Sequence, residues 1–440
     1  MATTTPAAPQ SSPPPAAPRA GIGTARGVAL YLGAMLGGGL LVTPALAAQL
    51  AGPASLLAWA GLLVISVPIA RTFVALGTQH PDAGGISSFV RRAFGDRVAA
   101  AVGYWFYFAL PFGAPATALG GASYLTGSGS HLTGDTWLLA GGLLLAALVT
   151  TMVGLQLSGL VQLILSGVLA AALVLGCSGG LVHADLGNFA PFAPHGWPGI
   201  GAAASLLFFS FAGWEAVTHL SHEFRDPARE LRLVANVTLL LVSVLYLGLA
   251  VACIAALGPA LSDSTTPVAD LLGFTLGDAA PLVAAVVAGC LTFGAMSAYL
   301  AGASRLGAAL ARDGALWKRL SSGHEAGTVP RPSAAVLGVL AVTVLVGGWL
   351  VDARLATIMG VASTLFLAVT WAGLLAGVRL LPRRSPSWWG AVLACAMITP
   401  VLLAGGWTLL APAVLGATAY VATSKTSADR QPGELEGVVT

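Results

Sequence analysis

About twelve apolar runs occupy most of the 440 residues. Each is near the roughly 20 residues that a helix needs to cross a bilayer. No other feature constrains the fold as tightly, because only helices and closed barrels satisfy their backbone groups inside lipid. Runs of this length without two-residue alternation are helical. They leave no room for a large soluble domain, and charged residues make up only 8% of the chain against about a quarter in soluble domains. The expected fold class is an all-α polytopic membrane protein with about 12 transmembrane helices.

The polar connections orient these runs. With the amino terminus placed inside, every Lys and Arg except Arg354 falls in a cytoplasmic segment or at a span end that reaches one. That is the asymmetry of the positive-inside rule. Both termini are then expected in the cytoplasm, and the expected location is the cell (plasma) membrane. The net charge of +3 therefore reports topology, with the lipid bilayer as partner and no nucleic acid. Residues 1–20, rich in Ala, Pro, Ser and Thr, read as a disordered cytoplasmic tail, and 424–440 as a second one. Residues 21–380 form the core, with halves at about 25–182 and 200–380. Residues 381–423 must hold two short peripheral helices if both termini are inside. Segment 267–276 reads as a short outer helix. Cys177, Cys253, Cys290 and Cys395 all lie in apolar runs without CxxC spacing. They read as small buried hydrophobes, and neither a metal nor a cofactor is expected.

The first run carries a defect at its centre. From Gly33 to Gly39 four of seven residues are glycine, and Pro44 follows. Glycine and proline loosen a helix, and a loosened helix in lipid exposes N–H and C=O groups that need partners or a cavity. A span serving only as an anchor gains nothing from this. Span 6 passes through Phe208-Phe209-Ser210-Phe211-Ala212-Gly213-Trp214-Glu215 and is the other run that combines polarity with mid-membrane depth. The two open the halves of a five-plus-five arrangement, and paired interrupted helices mark the binding sites of transporters.

Four segments carry a resemblance to a known family. They are Leu36-Gly37-Gly38-Gly39-Leu40-Leu41-Val42-Thr43-Pro44; Pro81-Asp82-Ala83-Gly84-Gly85 with Ala93-Phe94-Gly95 and Gly103-Tyr104-Trp105; Phe211-Ala212-Gly213-Trp214-Glu215 through Glu223-Phe224-Arg225-Asp226-Pro227-Ala228-Arg229; and Ser304-Arg305 with Ala311-Arg312-Asp313-Gly314. In order and spacing the chain resembles the amino acid–polyamine–organocation (APC) superfamily, most of all its bacterial methionine/branched-chain amino-acid exporters. The resemblance covers roughly residues 25–315. It implies a LeuT/APC-like 5+5 inverted repeat with broken helices 1 and 6 and two peripheral helices. Substrate would lie between the two unwound segments.

The resemblance also assigns roles. The N–H groups of Gly37, Gly38 and Gly39 would bind a substrate carboxylate, helped by the positive end of the half-helix that follows. Small residues at helix interfaces are the plainer reading, although three in a row exceed what packing needs. The family often has a hydroxyl residue where Gly38 stands. The carbonyls near Met35, Phe209 and Ala212 would receive the ammonium, and Phe209 and Tyr299 match aromatic gates. Packing is an equal reading for Phe209 and the simpler one for Tyr299. Glu215 is the only acid placed deep in the membrane, where burial favours the neutral form that suits a proton carrier. His219 and Glu223 continue its face, and for His219 a structural role is simpler. Glu223, Arg225, Asp226 and Arg229, joined by Arg305, would form a cytoplasmic gate; a solvated charge run remains the alternative. Thr292, Ser297 and Ser304 are in range for a sodium ion, but nothing selects among them.

The expected function is secondary active transport of small neutral, apolar amino acids, with export coupled to protons by alternating access. A proton- or sodium-coupled importer is the alternative. A membrane enzyme would show clustered nucleophiles or ligands at one face. A sensor would carry a signalling domain. Neither feature is present in the sequence, and the oligomeric state is not legible.

Overall fold

The computed structural model describes residues 24–80, 85–127, 132–154, 159–214, 227–323 and 328–428, and all regular structure among them is helical. The first apolar run is split into α1 (Thr24–Met35) and α2 (Thr43–Ala51), joined by an extended residue and a 3-10 turn. Then follow α3 (Ser55–Gln79), α4 (Gly85–Phe94), α5 (Asp96–Thr126), α6 (Gly134–Val153) and α7 (Gly159–Val182). The second half opens with α8 (Gly196–Phe211), α9 (Pro227–Leu257), the short α10 (Pro267–Leu276) and α11 (Ala280–Arg312). It continues through α12 (Arg331–Leu350) and α13 (Leu355–Leu380), and α14 (Pro386–Leu403) and α15 (Leu410–Ala428) complete the chain.

Ten stretches among the described residues are long and apolar enough to cross a bilayer. The first and sixth runs fall short of that length because they are broken. The 12 residues of α1 and the 16 of α8 span only part of a hydrocarbon core at about 1.5 Å per residue. The breaks are local in origin. Gly37 is extended at φ −78°, ψ 168°, and Pro44 restarts a helix in the first turn of α2, where a missing N–H costs nothing. Ala212 is extended at φ −64°, ψ 131°, and Gly213 follows at φ 134°, a region closed to most side chains.

Burial separates core from periphery. In α13 83% of the most apolar window is buried, and in α5 72%. In α14 and α15 the shares are 22% and 17%, so these two helices sit on the outside. Large apolar side chains such as Leu138, Leu240, Leu282, Val339 and Leu350 are more than 60% exposed. Outward apolar faces of this extent suit lipid and not water.

The segment at 85–94, read from the sequence only as a short polar piece, is a helix. Ile86, Phe89, Val90 and Ala93 recur at helical spacing and are buried, while Arg91 and Arg92 are exposed. Its amphipathic face packs on α5 and α13, and this burial stabilises a helix of ten residues that would not persist alone.

Candidate functional site

The two helix breaks face one another across a narrow cavity. All seven residues expected to meet substrate line it: Met35, Gly37, Gly38, Gly39, Phe209, Ala212 and Tyr299. The α5 residues Leu110, Gly113, Ala114 and Thr117 close another side, with Ser210, Ala295, Met296 and Phe366. Among the described residues, no Asp, Glu, Lys or Arg belongs to this lining. The cavity measures about 30 Å³, the room of two or three waters.

Each glycine of the triplet has its own surroundings. A Cβ at Gly37 would meet nothing within 4 Å. At Gly38 it would lie 2.9 Å from the Thr117 methyl and 3.2 Å from the Thr292 hydroxyl. At Gly39 it would lie 2.6 Å from the Phe209 ring. Gly38 and Gly39 therefore let the chain pass close to α5, α11 and Phe209. Gly37 alone borders free space. The first bond of the 3-10 turn runs from the Leu40 N–H to the Gly37 carbonyl, so the N–H groups of Gly38 and Gly39 precede the bonded ladder. Such leading donors seek an outside acceptor.

Aromatic hydroxyls hold the broken ends in place. Tyr246 on α9 is fully buried, and its O–H lies 2.7 Å from the Met35 carbonyl and 2.8 Å from the Ser210 carbonyl. One hydroxyl thus bridges the last residue of α1 and the end of α8. Its ring packs edge-on against Trp59 and Phe211. Tyr31 donates to the Trp214 carbonyl at 2.9 Å, and Tyr124 donates to the Leu41 carbonyl at 2.7 Å. Thr43 and Ser210 join their hydroxyls across the two breaks at 3.2 Å. The Met35 carbonyl also accepts from the Gly37 N–H at 2.9 Å, so two donors already use its lone pairs.

Phe209 closes one wall. Its ring lies against Gly39 and Gly113 and 6.1 Å from the ring of Phe366. Tyr299 forms another wall, and beyond it opens a second cavity of about 750 Å³ lined by Arg91, Arg305, Arg312 and Asp313. Tyr299 belongs to both linings. At the mouth of this vestibule Arg91 donates to Asp313 at 2.7 Å, tying α4 to the end of α11. Arg312 holds the other Asp313 oxygen at 3.0 Å. Partial burial pushes the Asp313 carboxyl up, but hydrogen bonds from Arg91 and Arg312 outweigh it and hold the group below its ordinary 3.8.

The expected charged gate is redistributed. Arg305 faces the vestibule beside Arg91, Arg312 and Asp313. Arg229 is exposed in the first turn of α9, a helix that contributes nothing to the vestibule lining. Glu215, His219, Glu223, Arg225 and Asp226 lie outside the described residues. Of the three hydroxyls in range for sodium, Ser304 donates to the Ala301 carbonyl at 2.9 Å. Thr292 and Ser297 are buried without a hydrogen-bond partner among the described residues.

Sequence reasoning missed Tyr246, Thr117 and the Arg91–Asp313 pair. A tyrosine at mid-span was a usable signal for Tyr246, because a buried phenol needs an acceptor. The ion pair joins residues 222 positions apart, and no local pattern reveals it.

Known proteins place this arrangement. A family profile described as "Amino acid permease" matches residues 22–426. The chain is 33% identical over 400 residues to the uncharacterized amino acid permease YecA of Bacillus subtilis (strain 168), covering 90% of this chain and 93% of that one. It is 31% identical over 377 residues to the L-methionine/branched-chain amino acid exporter YjeH of Escherichia coli (strain K12), covering 82% and 87%. In fold it is similar to MhsT, solved in complex with L-phenylalanine. The TM-score is 0.57 at 14% identity, covering 90% of this chain and 98% of the other. A chain that follows the profile almost from end to end and keeps the twice-broken helical core belongs to the amino acid permease family of the APC superfamily, a multi-pass membrane transporter of amino acids and not an enzyme.

Proposed function

We propose that the protein exports small neutral, apolar amino acids in exchange for protons, by alternating access around the cavity between the two helix breaks. One observation carries this reading: the cavity joins two unwound backbone segments, and among the described residues no charged side chain lines it. An amino acid brings a carboxylate and an ammonium that backbone groups can satisfy. An ionised side chain would find no partner there. The leading N–H groups of Gly38 and Gly39, with the positive end of α2 behind them, suit the carboxylate. The negative end of α8, including the Ala212 carbonyl, suits the ammonium. The Met35 carbonyl is already engaged by Tyr246 and Gly37 and is the weaker candidate.

The cavity of about 30 Å³ has room for two or three waters, too little for a side chain as large as that of leucine or methionine. Entry requires the half-helices, Phe209 or Tyr299 to move, which is what alternating access supplies. Tyr299 is the partition toward the vestibule. Positive-inside asymmetry supports a cytoplasmic vestibule with both termini on its side, and the proposed location is the cell membrane. Arg91, Arg305, Arg312 and Asp313 then form its mouth, and Glu223, Arg225, Asp226 and Arg229 remain the proposed cytoplasmic latch. One helix bundle moves against the other around the cavity, within a core whose repeats are 25–182 and 200–380, and 381–423 rides on the outside. Export is supported by the likeness to a relative named as a methionine and branched-chain exporter. Glu215 is the proposed proton carrier.

A sodium-coupled importer is the second reading. The unpartnered hydroxyls of Thr292 and Ser297 favour it, since a cation would satisfy them. Transport of methionine and leucine by purified protein in liposomes, under imposed pH or sodium gradients, separates the two. Movement that ignores pH and follows sodium overturns proton coupling. Failure to move any neutral amino acid overturns the substrate class.

A further inference from the structure

We infer that a groove between α3, α9 and α14, on the arginine-rich side of the bundle, holds the headgroup of an anionic phospholipid. The groove is a cavity of about 750 Å³ whose polar lining is Arg71, Thr78 and Gln79 on α3, Arg232 and Asn236 on α9, and Ser387 on α14. Among the described residues, no Asp or Glu lines it. Both arginines are exposed, and neither has an ion-pair partner among the described residues. The walls that continue from them are apolar, with Val74, Leu239 and Leu393. Trp389, 57% exposed, stands at the rim.

The position of the arginines along their helices decides what they need. Arg71 lies eight residues before the end of α3 at Gln79, about 12 Å along a helix axis. Arg232 lies five residues inside α9. Two exposed guanidinium groups near the ends of spanning helices, over apolar walls, call for an anion at headgroup level. In a bilayer that anion is a lipid phosphodiester whose acyl chains run down the same walls. A zwitterionic headgroup brings its own cation, so a net negative one is preferred. An indole at the rim suits the headgroup level. Arg383 and Arg384 lie in the turn just before α14 and add to the field.

Native mass spectrometry of the full-length protein in detergent, titrated with phosphatidylglycerol or phosphatidylcholine, tests this. Retention of phosphatidylglycerol on the order of tenfold above phosphatidylcholine is expected. Arg71→Gln with Arg232→Gln should remove the preference, while Arg71→Lys with Arg232→Lys should keep most of it. Equal retention of the two lipids, or a preference that survives the Gln pair, overturns the site. So does a dimer that the Gln pair dissolves, because the groove would then be a subunit contact. Should the Gln pair fail to fold, photo-crosslinkable phosphatidylglycerol on the wild type decides the matter. Cross-links to α3, α9 and α14 around the groove support the site, and cross-links only elsewhere refute it.

Discussion

Gly37→Ala is the sharpest test of the cavity. At φ −78°, ψ 168° the backbone accepts any L residue, and a Cβ there meets nothing within 4 Å. The fold should therefore not suffer. Removing a glycine from the unfolded chain even favours the native state by about 0.4–1 kcal/mol. The substrate should suffer, because the methyl enters space beside a cavity of about 30 Å³. Overpacking costs about 1–3 kcal/mol, which as a loss of substrate affinity is roughly 5- to 150-fold. Gly37→Val should lose more. The assay is amino-acid counterflow in proteoliposomes, paired with a thermal melt in detergent. Transport lost with the melt unchanged supports the site, and normal transport by Gly37→Val refutes it. Gly38→Leu is a poorer choice. Its side chain would collide with Thr117 and Thr292, so lost transport could report lost packing alone.

Tyr246→Phe should leave the Met35 and Ser210 carbonyls without their shared donor. A destabilisation of about 1–3 kcal/mol should appear in the melt together with slowed transport; an unchanged melt and rate would show that the bridge is idle. Asp313 has a depressed folded-state pKa, so its stabilising pair with Arg91 is complete above pH 3.8 and is lost only as pH falls through the still lower folded value. Asp313→Asn should therefore change the rate of opening without changing the shape of the pH–transport profile between pH 5 and 8. An altered profile would mean that Asp313 itself titrates in that window.

Much of the fold is legible because lipid leaves a chain few options. Apolar run length alone locates α5, α6, α12 and α13. The cavity is legible for a different reason. Gly37, Gly38 and Gly39 violate helix propensity where nothing local rewards it, so their purpose had to be tertiary. What the glycines do individually is not legible. Gly38 and Gly39 make room for Thr117, Thr292 and Phe209, and these neighbours come from α5, α11 and α8. The same holds for α4, whose ten residues look polar until the buried stripe of Ile86, Phe89, Val90 and Ala93 finds α5 and α13. Its Arg91 meets Asp313 only once the bundle has closed.

The central claim is that the glycine break receives the carboxylate of an apolar amino acid. Inhibition of methionine counterflow by leucine and by its decarboxylated amine tests it most directly. Each charge-assisted hydrogen bond from a backbone N–H contributes about 1.5–3 kcal/mol, so with two of them leucine should compete at least about 100-fold better than the amine. Equal competition by the amine would contradict the account.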